Sequence, residues 1–104
     1  MAESAEALMR SRYTAYVKED EAYLLATWHP DTRPSEIRFD PDQQWLGLKV
    51  KKHLPGANPD KASLVEFVAR FRLHGRVARL HERSRFRLKD GRWFYLDGKL
   101  ISKK

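Results

Sequence analysis

Between Ser4 and Lys18, Leu8, Met9, Tyr13 and Tyr16 recur at helical spacing and gather on one arc at about 100° per residue. Ser4 stands where an N-cap belongs, and Asp20 is placed to cap a second helix through Glu21, Ala22, Tyr23, Leu24, Leu25 and Ala26. That helix is expected to end near Trp28-His29-Pro30. The stretch HPDTRPSEIRFDPD holds three prolines and no clean period, which predicts an irregular connection with room for one short helical turn. From Trp45 onward the period changes to two. Strands are expected at Trp45–Lys52, Leu64–His74, Val77–Lys89, Arg92–Leu96 and Lys99–Ser102, with PGANPDKA as a loop. Gly75-Arg76, Asp90-Gly91 and Asp97-Gly98 read as tight turns between them. Two helices followed by an antiparallel sheet make an α+β fold.

The turns fix an expected register. A two-residue loop at Asp90-Gly91 sets Leu88 against Trp93, Phe86 against Tyr95 and Arg87 against Phe94. One at Gly75-Arg76 sets Leu73 against Ala78, Phe71 against Leu80, Ala69 against Glu82 and Phe67 against Ser84. Opposed residues share a face, and both hairpins give the same division into an apolar and a basic face. The basic face is expected to carry Lys49, Lys51, His53, Arg70, Arg72, Arg79, His81, Arg83, Arg85, Arg87, Lys89 and Arg92. Phe94 and Leu96 fall on that outer face, either as ordinary exposed residues or as a homodimer contact.

Two charges break the pattern. Arg12 lies inside the apolar arc of the first helix, and Glu82 lies on the apolar face of the sheet. If helix covers sheet, the two can meet as a bidentate pair, because a buried charge is tolerated when paired and hydrogen-bonded. Such a pair either only orients helix on sheet or forms the polar floor of a small-molecule pocket walled by Tyr13, Tyr16, Trp28, Trp93 and Tyr95. A narrower version makes Glu82 the catalytic base of an isomerase or hydratase; an adjacent arginine works against it by lowering the carboxylate's pKa. Asp97 is expected opposite Ser84 and diagonal to Glu82, either as a second carboxylate on the pocket side or as a turn former.

At 104 residues, of which 41% are hydrophobic and 34% charged, the chain is expected to form one domain over 1–104. It has no cysteine, which excludes disulfides and thiolate metal sites. The four histidines, His29, His53, His74 and His81, show no paired metal-ligand spacing, and no Gly-rich phosphate loop or nucleophile elbow occurs. No cofactor or metal is therefore expected. The formal charge of +7 is concentrated in the second half. It raises an interaction scaffold for acidic partners or nucleic acid, although the basic face has little interleaved aromatic surface and reads more simply as solvated. No apolar run approaches the roughly 18 residues of a membrane span, and MAESAEAL lacks the features of a secretory signal. A cytoplasmic location and a small organic or acidic ligand are the expectations.

AEALMRSRYTAY near the start, YLLATWHPDTRP at Tyr23 to Pro34, W-x-G-L at Trp45 to Leu48, VEF at Val65 to Phe67, LHERSRF at Leu80 to Phe86 and GRWFYLDG at Gly91 to Gly98 run in order along the chain. Together they resemble the middle domain of the YchJ-like family of bacterial proteins. The resemblance implies an NTF2-like (cystatin-like) cone, with N-terminal helices packed on a curved antiparallel sheet around a pocket. Family members often carry cysteine-rich SEC-C zinc motifs beside this domain. This chain has no cysteine, so zinc binding is not carried over. The resemblance brings no reaction with it, since NTF2-like relatives include isomerases, dehydratases and plain binding or dimerising modules.

Overall fold

A computed structural model describes residues 4–55 and 61–101. The order of elements is α1 (Ala5–Val17), α2 (Glu21–Ala26), β1 (Gln43–Pro55), β2 (Ala62–Leu73), β3 (Arg76–Lys89) and β4 (Arg92–Leu100). Ser4 caps α1 by accepting from the Ala7 amide at 3.1 Å, and Asp20 caps α2 by accepting from the Tyr23 amide at 3.1 Å. Helix α1 stops in a left-handed turn: Glu19 takes φ 55°. The amides of Glu19 and Asp20 then return to the carbonyls of Tyr16 and Ala15 at 3.2 and 2.8 Å. This is the paired termination that usually uses glycine. The connection from His29 to Asp42 contains no helix, only turns, and its expected helical turn is absent.

The four strands form one antiparallel meander in the order β1-β2-β3-β4. Both β2–β3 and β3–β4 are joined by two-residue turns with positive φ at both positions: His74 and Gly75 at 53° and 79°, Asp90 and Gly91 at 52° and 78°. These turns match the twist of the flanking strands. The β3–β4 register is as expected near its turn, with Leu88 opposite Trp93 and Phe86 opposite Tyr95. The β2–β3 turn lies one residue earlier than expected, so its register slips by two. Phe67 opposes Glu82, Ala69 opposes Leu80 and Phe71 opposes Ala78. A slip of two preserves which side chains share a face, so the division into apolar and basic faces survives.

Two further expectations fail. Asp97-Gly98 is not a turn, and the fifth strand expected from Lys99 is the end of β4. Bulges also change parity within strands. In β1, irregularities between Trp45 and Gly47 and between Val50 and Lys52 place Lys52, opposite Glu66, on the outer face and swing His53, opposite Val65, to the helix side. The expected loop PGANPDKA lies mostly outside the described residues; its first residue, Pro55, ends β1 and its last, Ala62, begins β2.

The core forms where α1 crosses the sheet. Ala5, Leu8 and Met9 of α1 meet Val65, Phe67 and Ala69 of β2 and Phe86 of β3, all buried. At roughly 1.5–3 kcal/mol for each large apolar side chain taken from water, this cluster supplies the main drive for docking the helix. After α2 the chain runs beside β4. The Tyr95 amide donates to the Thr27 carbonyl at 2.9 Å, and the His29 amide donates to the Tyr95 carbonyl at 2.7 Å. This segment covers one edge of the sheet and positions Trp28 over the site described next.

Candidate functional site

Arg12 is 3% exposed, so the helix does aim a guanidinium into the interior. Its partner is not Glu82. Arg12 Nη1 donates to the Leu24 carbonyl at 2.8 Å and to Thr27 Oγ1 at 2.6 Å. Thr27 Oγ1 in turn donates to the Tyr23 carbonyl at 2.8 Å. These carbonyls belong to the last turn of α2, where orphan acceptors and the negative end of the helix dipole welcome a cation. The flat guanidinium also lies 4.5 Å from the centre of the Tyr95 ring and 5.0 Å from that of Trp28. Trp28 and Tyr95 meet edge to face at 4.9 Å. Burial lowers the Arg12 pKa, and the electrostatic influence of Tyr16, Tyr95 and Tyr23 opposes that shift. The expected ion pair is thus replaced by helix carbonyl, hydroxyl and aromatic faces, a set of acceptors that periodicity alone does not reveal.

Glu82 is only half-buried. Its Oε2 accepts from Ser84 Oγ at 2.9 Å, and its carboxylate lies against Gly98, where any Cβ would collide with it. Gly98 pairs with Ser84 in extended backbone. The glycine that reads as a turn former therefore acts as a seat for a carboxylate. Between Arg12 and Glu82 lies a cavity of about 210 Å³ under α1. Tyr13, Tyr16 and Trp45 form one wall, Phe67, Ala69 and Leu80 of the sheet another, and Met9, Ser84 and Tyr95 complete it. Tyr13 packs edge-on against Trp45 at 5.9 Å and Tyr16 against the same ring at 6.1 Å. Burial raises the pKa of Tyr16 and of Tyr95, with the negative charge of Glu82 adding to both shifts.

Of the residues singled out in the sequence, Arg12, Tyr13, Tyr16, Glu82 and Tyr95 converge on this cavity. Trp28 stands behind Arg12. Trp93 instead borders a separate shallow recess with Leu8, Tyr23 and Thr27. Ser84 stands on the apolar face, as expected, while alternation does not reveal Trp45 and Gly98 as neighbours of the site: the bulge after Trp45 hides its face, and the bulge in β4 hides that of Gly98.

That second bulge also removes Asp97 from the pocket side. A register shift between Arg85 and Phe86 puts Asp97 opposite Arg85, and the two form a bidentate pair at 2.7 and 2.6 Å. Leu96, at the bulge, is buried within the chain, and Phe94 packs against His29 at 6.1 Å. An outer-face dimer contact through Leu96 therefore has no exposed side chain to use. The basic face is also less basic than its alternation suggests. Glu66 is buried on it, with His81 Nε2 at 2.8 Å from one carboxylate oxygen and Arg83 Nη2 at 3.0 Å from the other. These hydrogen bonds lower the Glu66 pKa, as the Arg85 bond lowers that of Asp97. Across β2 and β3, Arg70 opposes Arg79.

Helices laid over one face of a four-stranded antiparallel meander, with a polar-ended cavity between the layers, define the class of this α+β protein. The chain belongs to the family of the YchJ middle NTF2-like domain, whose model matches residues 4–98. It is 51% identical over 100 residues to a UPF0225 protein of Chromobacterium violaceum, covering 93% of this chain and 74% of the relative. It is 57% identical over 101 residues to one of Methylibium petroleiphilum, covering 95% and 72%. Among solved structures, it resembles a SEC-C motif containing protein from Rhodopseudomonas palustris (TM-score 0.81, 36% identity, 95% of this chain and 80% of that one). It also resembles a SEC-C motif containing protein from Psychrobacter arcticus (TM-score 0.75, 27% identity, 99% and 64%). No helix among the described residues is long and apolar enough to cross a membrane.

Proposed function

We propose that the chain is a small-molecule-binding or accessory module, a single cytoplasmic unit over 1–104 whose ligand enters the cavity between α1 and the sheet. One observation carries this reading: Arg12 and Glu82 both border the same aromatic-walled cavity without neutralising each other. A pair serving only to orient helix on sheet would be closed on itself. Convergent polar groups in a mostly apolar concavity are the usual form of a ligand site. A thermal-shift screen of metabolites tests it. A ligand that binds only the folded state adds about 2.7 kcal/mol of stability at a hundredfold excess over Kd, and so raises the melting temperature. A screen in which no compound protects the chain refutes the reading.

A second reading is favoured by the freedom of Glu82 from Arg12. A carboxylate on a cavity wall, with Ser84 beside it and the Tyr16 and Tyr95 side chains lining the same space, has the arrangement of a base that moves a proton while a phenol steadies developing negative charge. An isomerase or hydratase activity of this kind is abolished by Glu82→Gln with the fold intact. Equal turnover in that variant removes Glu82 from the chemistry.

A further inference from the structure

We propose that the cavity takes a small zwitterion, an aminocarboxylate whose carboxylate faces Arg12 and whose ammonium faces Glu82. This rests on the binding reading above and names its ligand class. Arg12 is a buried cation that makes no ion pair among the described residues, and Leu24 and Thr27 engage only one of its terminal nitrogens. A guanidinium offers five donors in a fixed fork, so it retains capacity for a carboxylate. Glu82 has only Ser84 as a hydrogen-bond partner among the described residues, against roughly four lone-pair sites on an ionised carboxylate. Each charge is held in place, and each lacks a counter-charge among the described residues.

The two ends together select the ligand. Arg12 lies over the Tyr95 ring and the Glu82 carboxylate lies over Gly98; the bulge at Leu96 puts Tyr95 and Gly98 on one face, opposite Phe86 and Ser84 of β3. Both charges border one small cavity, so a single short aminocarboxylate can make a charge-assisted bond at each end. A simple carboxylate would satisfy Arg12 but bring a second negative charge towards Glu82, and a simple amine would do the reverse. Both mismatches are amplified away from bulk water. A zwitterion satisfies both ends and adds no net charge. The volume of about 210 Å³ is below the roughly 300–1,000 Å³ of drug-sized pockets, and the walls from Tyr13, Trp45, Phe67 and Met9 suit an apolar side chain or methylene chain.

The test is titration calorimetry and thermal shift on the intact chain with matched probes: phenylalanine and 4-aminobutanoate, their amine-free partners 3-phenylpropanoate and butanoate, their carboxylate-free partners 2-phenylethylamine and butylamine, and neutral indole. At least one aminocarboxylate is expected to bind about tenfold or more tighter than both of its matched partners. Glu82→Gln, checked for an unchanged circular-dichroism spectrum, is expected to remove that preference while sparing 3-phenylpropanoate. Tighter binding of a simple acid or amine, binding of indole alone, or an unaltered preference in Glu82→Gln overturns the zwitterion and leaves the pocket standing. Absence of binding by every probe overturns the zwitterion, and failure of the wider metabolite screen as well overturns the pocket.

Discussion

Arg12 is held by groups of low charge, which sets what its removal does. Arg12→Ala strips the last-turn carbonyl of Leu24 and the Thr27 hydroxyl of a charged donor and empties the space over Tyr95 and Trp28. Hydrogen bonds to a charged group contribute about 1.5–3 kcal/mol and a desolvated cation–aromatic contact up to about 2, offset by relief of the buried charge. A loss of about 2–4 kcal/mol is expected in urea denaturation. Arg10→Ala, which removes only an exposed pair with Glu6 at 2.9 Å, is expected to cost about 0.5 kcal/mol or less. A double-mutant cycle of Arg12→Met with Glu82→Gln separates the two geometries. Coupling below about 0.5 kcal/mol fits charges held apart, and a closed buried pair would give far more. Gly98→Ala carries a different expectation. The colliding atoms are the far end of the flexible Glu82 side chain, so stability should change by less than about 1 kcal/mol while the carboxylate leaves its seat and any ligand dependent on it is lost.

At the scale of elements, the hairpins show which local signals are strong. Asp90-Gly91 is a favoured dipeptide for a turn with two positive φ values, and the register around it came out as expected. His74-Gly75 adopts the same geometry with a residue less suited to the first position, which is why Gly75-Arg76 is an equally natural reading of the chain. His74→Asn is expected to raise stability by about 0.5 kcal/mol, since asparagine tolerates positive φ better. Gly75→Ala, at φ 79°, is expected to lower it by about 1 kcal/mol or more. Equal denaturation midpoints for these two variants would contradict the turn assignment.

For the whole molecule, the outer face gives stability a pH dependence. The Glu66 carboxylate, held by His81 and Arg83, and the Asp97 carboxylate, held by Arg85, both have lowered pKa values. A lowered folded-state pKa means the unfolded chain binds protons more readily. The stabilisation is complete above the ordinary carboxylate values of about 3.9–4.3 and is lost as pH falls through the lower folded values. Asp97 is partly exposed, and solvent screening reduces its share. Urea midpoints are expected to be flat from pH 7 to about 5 and to fall steeply below about 4. Glu66→Gln should flatten that fall, and an unchanged acid profile in this variant would show that Glu66 does not carry it. The carboxylates on this face also explain why the excess of arginine does not make a uniform cationic surface.

What the sequence determined alone is whatever depends on neighbours along the chain. Ser4 and Asp20 mark helix starts because a cap acts within three residues, and alternation from Trp45 onward marks strands because side chains of a pleated strand alternate by geometry. The apolar arc of α1, with Arg12 in it, was legible for the same reason. So were five residues of the cavity: they stand on apolar faces without being wholly apolar. Tertiary structure decided the rest, because those choices depend on groups far apart in sequence. A bulge shifts parity by one residue with little local signature, and so it moved Asp97 to the outer face, His53 to the helix side and Gly98 beneath Glu82. The partner of Arg12 was decided by where α2 ends and where Trp28 joins β4, which offered a carbonyl, a hydroxyl and two rings at close range, while the carboxylate stayed across the cavity over Gly98.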